Sequence, residues 1–533
     1  MNKIYLLVLF LGFIACTKTP EGGQSIVVNL SDEQQTIHSF GASDAWRCQF
    51  VGKNWPIEKR EQMAEWLFSQ EYDESGNPKG IGLSMWRFYL GAGSIEQGDD
   101  SGIKNEWRRA ESFLNSDGSY DWSKYEGQTW FLRKSLEYGV DYRKAFMISA
   151  PVHYTLNGKA YSEKNRKTLN LQEGMMEPFA NYMVDVLDHY INELNIPLEY
   201  LSPINEPQWG WDNGSQEGTP ASNSEVYELT KILSSKLDER EIDSKVIVTE
   251  AAQLEFISDF DIESKKFGKR AATYAQRADQ GKVFFDKNSD MYIGDLPKVE
   301  YALAGHSYFS TWPIKKQVET RKRLRESVLK TNPDMQFWQS EYCILEKNDE
   351  VVAGRKRDLD MPTALFVARV IHNDVVLANA SNWQWWTAIT QCDYKDGLIY
   401  LDRDGSFEKA PLKYDGDMHD SKLMWALGNY SLFVRPDMKR VGLHYSSELS
   451  DIERCTDVLA SAYKSDTSVV LVAINFTDES KPFNLEIEGS KGFGRYKEIK
   501  AYETSATRNL ESIEVSRRHL NLSPRSVTTF VMK

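Results

Sequence analysis

A short apolar run ends in Leu201-Ser202-Pro203-Ile204-Asn205-Glu206-Pro207, where a carboxylate stands between an amide and a proline. A second carboxylate closes a similar run, Phe337-Trp338-Gln339-Ser340-Glu341-Tyr342. Both runs predict short buried strands, and the carboxyl ends of parallel barrel strands meet at one face of the barrel. We therefore expect Glu206 and Glu341 to converge over one pocket.

Two carboxylates at one face suit the cleavage of a glycosidic bond. One carboxyl group protonates the leaving oxygen, and the other attacks the anomeric carbon or activates water. In sugar-cleaving (β/α)8 barrels an Asn-Glu-Pro sequence closes the fourth strand, so Glu206 is the predicted proton donor and Asn205 a predicted hydrogen-bond partner of the sugar. Glu341 is then the predicted nucleophile.

The region 36–435 alternates short apolar segments with longer amphipathic ones, which is the pattern of repeated βα units. The predicted strands are 37–45, 82–90, 143–150, 198–205, 245–250, 301–308, 336–341 and 382–386, and the main predicted helices are 58–69, 122–138, 173–194, 224–240, 314–330 and 362–378. This count predicts an α/β fold, the (β/α)8 TIM barrel, as the catalytic domain.

The pattern changes after residue 435. Short strand-like segments separated by turn residues predict a side antiparallel β-sandwich domain over 436–533, with strands at 440–443, 458–463, 468–475, 483–488, 499–503 and 526–532. Residues 25–35, ahead of the barrel, read as one further strand. We expect that strand to join the C-terminal sheet, so that both ends of the chain build the small domain.

The first residues predict export. The apolar stretch 4–14 is too short to span a bilayer and is followed by Ala15-Cys16, which resembles a bacterial lipobox. We expect residues 1–16 to be a lipoprotein signal peptide, Cys16 to carry the lipid, and 17–24 to form a tether. An ordinary signal peptide cut nearby is the alternative. The protein is then expected on a membrane, at the outer membrane or the periplasmic side, and otherwise to be secreted or periplasmic.

The composition of the chain limits the classes of molecule that it is expected to bind. The formal net charge is −14, with acidic residues spread along the chain, which argues against nucleic acid or polyphosphate. The 15 Trp and 26 Tyr suit stacking on sugar rings, although most are expected in the core.

Four further cysteines match neither a zinc motif nor a compact disulfide framework. We expect a monomer with a carbohydrate substrate, no metal and no cofactor, and the lipid anchor as the only membrane contact.

Several segments match motifs of one known family: Phe40-Gly41-Ala42-Ser43-Asp44, Gly82-Leu83-Ser84-Met85-Trp86-Arg87-Phe88-Tyr89-Leu90-Gly91, Ser149-Ala150-Pro151, Gly305-His306-Ser307-Tyr308, both carboxylate runs, and 426–436. Together they resemble glycoside hydrolase family 30, the retaining β-glycosidases related to glucosylceramidase and endo-β-1,6-galactanase. The resemblance spans nearly the whole mature chain. It implies an O-glycosyl hydrolase with a barrel fused to a side β-sandwich.

Strand alternation assigns further residues to the site. Arg87 is expected beside Glu341, and His306 and Tyr308 share a face on the sixth strand, where they can contact a carboxylate or the sugar. Trp386 is the candidate floor of the subsite for the attacked sugar, whereas Trp383 and Trp385 face the helices. Asp44 and Trp46 end the first strand and are predicted substrate contacts. Glu250 is a third carboxylate, interpreted as a substrate contact or as support for the site.

Other functions stay open from the sequence. Within the same family the expected substrate is a β-1,6-galactan or β-1,6-glucan, and a xylanase-type or glucosylceramidase-type activity is the alternative. A non-catalytic glycan-binding surface lipoprotein is disfavoured by the presence of both Glu206 and Glu341. A metal-dependent barrel hydrolase ranks last, because the first strand carries no His-x-His sequence.

Overall fold

The computed structural model describes residues 24–258, 274–407, 411–489, 498–515 and 520–533. The predicted signal peptide, Cys16 and nearly all of the predicted tether lie outside these residues. Strand β1, Gln24–Thr36, begins one residue before the predicted start of the N-terminal strand.

Within the described residues, eight parallel strands close a barrel in chain order. They are β2 (Ser39–Ser43), β3 (Met85–Leu90), β4 (Tyr142–Met147), β5 (Tyr200–Ser202), β6 (Lys245–Ala251), β7 (Val299–His306), β8 (Gln336–Glu341) and β9 (Ala380–Trp385). The predicted TIM barrel is confirmed. Each strand lies within a few residues of its prediction, because buried parallel strands read as apolar runs bounded by turn residues.

Helices connect the barrel strands and continue into the second domain. The α-helices are Cys48–Asn54, Ile57–Phe68, Glu126–Glu137, Met176–Asp188, Asn223–Glu239, Gln280–Phe285, Ile314–Thr331, Met361–Val376, Lys422–Ser431 and Asp451–Arg454, and a π-helical turn follows at His189–Glu193. Short 3-10 helices lie at Gly98–Ser101, Glu106–Arg108, Val152–Tyr154, Leu254–Phe256, Ala275–Arg277 and Pro411–Lys413. Among the described residues, no helix is both long and apolar enough to cross a membrane.

Local chemistry explains where the helix after β5 begins. The Ser222 hydroxyl accepts from the Glu225 backbone N at 3.3 Å, and the Glu225 carboxylate accepts from the Ser222 backbone N at 2.8 Å. This reciprocal capping box satisfies two backbone donors that the first helical turn leaves unpaired. The end of the loop that carries Glu206 is therefore fixed at a defined residue.

The second domain is a separate β-sheet. Its strands are β1 with β13 (Lys439–Tyr445), β14 (Val458–Lys464), β15 (Val469–Asn475), β16 (Lys481–Glu488), β17 (Ile499–Thr504), β18 (Glu511–Ile513), β19 (Leu520–Leu522) and β20 (Ser526–Met532). In the described residues they run β18-β17-β20-β15-β14-β13-β1-β16-β19. The rings of Phe483 and Phe530, on strands far apart in this order, lie 5.5 Å apart, so the sheet folds over onto itself around an apolar core.

Two details differ from the sequence prediction. The N-terminal strand β1 pairs antiparallel with β13 but parallel with β16, so the sheet is not wholly antiparallel. A small sheet of β10 (Ile389–Thr390), β11 (Ile399–Asp402) and β12 (Asp417–His419) lies in the long connection after β9. These strands are two to four residues long, too short to leave a periodic signal in the sequence.

The helix Met361–Val376 lies between the two domains. It is buried on almost every face, as expected for a helix covered on one side by barrel strands and on the other by the β-sheet. Arg369 on this helix donates to the Cys455 carbonyl oxygen at 3.2 Å. Cys48, Cys343, Cys392 and Cys455 are all free thiols.

Candidate active site

Glu206 lies in the turn that follows β5. Its backbone has a φ of 49°, in the left-handed region that a glutamate rarely adopts. The backbone N of Glu206 donates to the Glu250 carbonyl oxygen at 2.9 Å, and the Trp211 indole donates to the Glu206 carbonyl oxygen at 3.2 Å. These contacts hold an uncommon backbone conformation, as is typical of residues at functional sites.

Glu341 is the last residue of β8. The Tyr308 hydroxyl donates to its Oε1 at 2.9 Å, and the Arg87 guanidinium donates to its Oε2. Arg87 also donates to the Asn205 side-chain oxygen at 2.8 Å. The carboxylate plane of Glu341 is thus fixed by two donors, one of which also positions the residue next to Glu206.

The two predicted catalytic carboxylates converge. An oxygen of Glu206, a ring nitrogen of His306 and an oxygen of Glu341 all lie within 4.8 Å of one another. The two glutamates are 6% and 5% exposed, so both are nearly excluded from bulk water. A pair of buried carboxyl groups at this separation can act on the two sides of one bond.

Burial shifts Glu206 toward its neutral form. Burial raises the pKa of the Glu206 carboxyl, the hydrogen bond and charge of His306 and the charge of Arg87 lower it, and the nearby Glu341 carboxylate raises it. A carboxyl group with a raised pKa is suited to the role of a general acid.

His306 lies between two carboxylates. Its Nδ1 is 2.9 Å from Glu206 Oε1, and its Nε2 is 3.1 Å from Glu250 Oε2. Burial alone lowers the pKa of His306, but Glu341, Glu206 and Glu250 outweigh burial and raise that pKa to about 9. A ring that carries hydrogens on both nitrogens donates to both neighbouring carboxyl groups.

Glu250 lies below this pair at the end of β6 and is fully buried. The Lys144 ammonium donates to its Oε1 at 2.8 Å, and the Ser340 hydroxyl donates to its Oε2 at 2.7 Å. Burial by itself would raise the pKa of Glu250, but Lys144, Arg87 and His306 hold that pKa well below its usual range. Glu250 is therefore a stable buried anion.

Two buried charged residues were missed by the sequence prediction. Lys144 lies on β4, and burial lowers its pKa to about 8 despite Glu250. The sequence did contain an indication of this residue. Lys144 is a charged residue in a largely apolar strand, at a position that shares a face with Phe146. Glu217 accepts from the Tyr89 hydroxyl and from Ser94, which ties the loop after β5 to the loop after β3. No local pattern in the sequence distinguishes Glu217 from a loop residue at the surface.

The predicted aromatic contacts lie around Arg87. Trp386 is half-buried, with its ring centroid 5.7 Å from the Arg87 guanidinium and 5.2 Å from the Trp46 ring, which it meets edge-on. Trp46 itself is 4% exposed. On the opposite face of β9, the Trp383 indole donates to Asp374 of the helix Met361–Val376 at 3.0 Å. The role of Trp386 as the floor of a sugar subsite stays a prediction.

Asp44 is buried, and both of its oxygens already have protein partners. Oδ1 accepts from the Tyr89 backbone N at 2.8 Å, and Oδ2 accepts from the Gln128 amide at 3.0 Å. Burial raises the pKa of Asp44 to about 8, although these hydrogen bonds oppose it. In the structure the residue joins β3 to the helix Glu126–Glu137, and its contact with a sugar stays a prediction.

Comparison with known proteins agrees with this geometry. A family model described as O-Glycosyl hydrolase family 30 matches residues 23–400. The glucuronoxylanase XynC of Bacillus subtilis is 29% identical over 177 residues, which cover 32% of this chain and 35% of the relative. The match thus spans about a third of the length of that curated relative.

Two solved structures extend the comparison. A conserved exported protein from Bacteroides fragilis is 34% identical with a TM-score of 0.87, over 95% of this chain and 100% of that one. The catalytic domain of GH30 xylanase C from Talaromyces cellulolyticus is 20% identical with a TM-score of 0.64, over 96% of this chain and 100% of that domain. The second likeness supports the fold alone.

Proposed function

The chain belongs to O-glycosyl hydrolase family 30, and on that premise we propose that it is a retaining β-glycosidase that works by double displacement. The observation that carries the proposal is the approach of Glu206 and Glu341 to within 4.8 Å of each other. Retaining enzymes hold their two carboxyl groups about 5–5.5 Å apart, whereas inverting enzymes leave about 6.5–9.5 Å for a water molecule.

In the first step Glu341 attacks the anomeric carbon while Glu206 gives its proton to the glycosidic oxygen. The bond to the leaving group breaks, and the sugar becomes covalently attached to Glu341. In the second step ionised Glu206 takes a proton from water, which attacks the same carbon and releases Glu341. Arg87 and Tyr308 hold the nucleophile in one plane throughout.

The stereochemistry of the product tests this proposal. We expect proton NMR of a reaction started with a β-linked substrate to show the β-anomer as the first product, followed by slow mutarotation to the α-anomer. Two inversions at the anomeric carbon give this result. An α-anomer appearing first would contradict the retaining mechanism, even if the chain hydrolysed the substrate.

For the substrate we favour a neutral β-1,6-linked galactan or glucan. The protein carries a net charge of −14, which disfavours strongly anionic polymers. A specific observation supports glucuronoxylan as the second candidate. The guanidinium groups of Arg47 and Arg108 lie 5.3 and 5.4 Å from the centroid of the Trp46 ring, and Arg108 forms no ion pair with a carboxylate of the described residues.

Product analysis on a substrate panel separates these two candidates. The panel contains β-1,6-galactan, β-1,6-glucan, glucuronoxylan, and the same xylan after removal of its glucuronate groups. Activity on a β-1,6-linked polymer supports the first candidate. Activity on glucuronoxylan that disappears with the glucuronate groups supports the second, since Arg108, which forms no ion pair among the described residues, would then be recognising the sugar carboxylate.

We also propose that the protein is exported and anchored through a lipid on Cys16. The apolar segment that ends in Ala15-Cys16 supports this, and a similar structure is described as that of an exported protein. Cys16→Ser is expected to release active protein into the soluble fraction, whereas Cys455→Ser, a change inside the fold, should leave the protein with the membrane. Fractionation followed by an activity assay checks both, and a processed Cys16→Ser protein that stays on the membrane would contradict the anchor.

A further inference from the structure

Glu250 is a carboxylate that double displacement does not use, yet it occupies the centre of the buried charge cluster. Four other strands of the barrel each direct a polar group at it: Arg87 from β3 at 3.7 Å, Lys144 from β4 at 2.8 Å, His306 from β7 at 3.1 Å and Ser340 from β8 at 2.7 Å. None of this carboxylate is exposed to solvent. A buried charge with this many partners has a defined position. One of these partners, His306, also contacts Glu206 and so connects Glu250 to it.

The contacts of His306 determine where its protons lie. Both ring nitrogens lie within hydrogen-bond distance of a carboxyl oxygen, Nδ1 with Glu206 and Nε2 with Glu250. Because ionised Glu250 can only accept, Nε2 carries a hydrogen. Nδ1 then either donates to Glu206 Oε1, in an imidazolium, or accepts the proton of Glu206, in a neutral ring. These two states differ in whether the acid proton is available to a substrate.

We propose that Glu250, anchored by Lys144, is a positioning residue that keeps His306 a doubly donating imidazolium, so that Glu206 carries its acid proton on Oε2. This inference rests on the proposed role of Glu206 as proton donor. With Oε1 accepting from His306, the proton on Oε2 is left for the glycosidic oxygen. After the transfer, ionised Glu206 faces a cation at 2.9 Å, which lowers the cost of forming a carboxylate in a buried site.

In this arrangement the charges of the cluster balance once Glu206 has given up its proton, when three cations face three anions. Arg87, Lys144 and His306 are cations, Glu341 and Glu250 are anions, and Glu206 is neutral before proton transfer and anionic after it. A neutral His306 would leave the same cluster with an unbalanced anion once Glu206 ionised. The raised pKa of His306 and the depressed pKa of Glu250 support the charged pair.

The direct test reads the protonation state of His306 without any substrate. Protein labelled with 15N-histidine is titrated by NMR, and the His306 signals are assigned by their loss in His306→Asn. We expect both ring nitrogens of wild-type His306 to carry protons at pH 8. A neutral wild-type ring at that pH would overturn the proposal, whereas failure of the proposed glycosidase activity would leave this result untouched.

Two variants are expected to shift the pKa of His306 in opposite directions. Glu250→Gln removes the anion beside Nε2 and is expected to lower the pKa of His306 by at least one pH unit, about tenfold in the protonation equilibrium. Lys144→Met removes a cation but leaves the carboxylate beside Nε2, so at pH values where Glu250 stays ionised it is expected to raise the pKa of His306, while Lys144→Arg should leave that pKa near the wild-type value. Simple disruption of packing would move the first two variants in the same direction, and that result would overturn the proposal.

A double variant covers the case in which one buried charge without its partner prevents folding. Lys144→Met with Glu250→Gln removes a cation and an anion together, so no uncompensated charge remains. Its His306 pKa is expected to fall as in Glu250→Gln. An unchanged His306 in the folded double variant would overturn the proposal.

An activity readout links the cluster to proton donation. With Glu250→Gln, kcat on an unactivated linkage should fall at least tenfold, part of the roughly 10²–10⁴ that general acid catalysis contributes. Hydrolysis of an activated aryl glycoside should fall much less, because its leaving group needs no proton. An equal loss on both substrates would place Glu250 in the general support of the fold and contradict its role in positioning the proton.

Discussion

Glu341→Gln is expected to abolish turnover of every β-glycoside, by roughly 10⁶ in kcat, the scale of loss when a hydrolase loses its nucleophile. The amide keeps the volume of the side chain, and its single oxygen can still accept from either Tyr308 or Arg87, which bind opposite oxygens of the native carboxylate. It cannot form the covalent bond to the anomeric carbon, and no leaving group, however good, replaces that bond. Release of an aryl alcohol from an activated β-glycoside measures the effect.

A control variant in the same loop separates loss of the nucleophile from disruption of the loop structure. Glu346 follows β8 by five residues, and its carboxylate accepts from the Phe309 and Thr311 backbone N–H groups at 3.1 and 3.0 Å. Glu346→Gln changes a carboxylate to an amide in the same way but is expected to keep kcat within a few-fold of wild type. Turnover by Glu341→Gln on an activated substrate at a rate near that of wild type would remove Glu341 from the nucleophile role.

External azide tests the same residue through a second variant. With Glu341→Ala, a small anion can enter the space left by the carboxylate and attack the anomeric carbon directly. A single displacement inverts that carbon, so the expected product from a β-glycoside is the α-glycosyl azide. A β-glycosyl azide from this variant would indicate that a different residue still forms the covalent intermediate.

The barrel and the approach of Glu206 to Glu341 were predictable from local sequence. Gln336–Glu341 is observed as a strand with the predicted bounds, and the ends of β5 and β8 meet because parallel barrel strands direct their carboxyl ends to one face. Strand alternation correctly placed Arg87 beside Glu341, and Tyr308 with His306, because a two-residue period is independent of distant contacts.

What the sequence could not supply are pairings between distant residues. Lys144 and Glu250 meet across 106 positions, and neither residue alone indicates that the other will neutralise it. The same limit applies to Asp44, whose carboxyl is bound by Gln128 from a helix that local patterns do not position relative to β2. The parallel pairing of β1 with β16 also depends on the closure of the whole sheet.

Glu206 illustrates both what local sequence predicts and what it cannot predict. The Asn-Glu-Pro run identified the residue, but its left-handed backbone depends on a hydrogen bond to the Glu250 carbonyl oxygen, on the next strand. Glu250 is therefore linked to Glu206 in two ways, through its backbone and through His306. A sequence analysis that treats the two glutamates separately misses this coupling.

Glu206→Gln is expected to separate the two chemical steps. On an unactivated linkage the variant should lose about 10²–10⁴ in kcat/KM, because the leaving oxygen no longer receives a proton. On an aryl glycoside with a good leaving group the first step needs no acid and should be nearly preserved. The second step lacks its base, so the covalent intermediate on Glu341 should accumulate and appear as a burst of aryl alcohol.

Azide should then restore turnover of the aryl glycoside by Glu206→Gln, since it is already anionic and needs no base to attack the intermediate. The sugar passes through Glu341 first, so two displacements occur and the expected product is the β-glycosyl azide, opposite in configuration to that from Glu341→Ala. Glu199→Gln, at the other end of β5, serves as the matched control and should show neither burst nor rescue. If azide gave the β-azide with the Glu341 variant and the α-azide with Glu206→Gln, the two roles would be exchanged, because the configuration of the azide product reports which carboxylate forms the covalent bond.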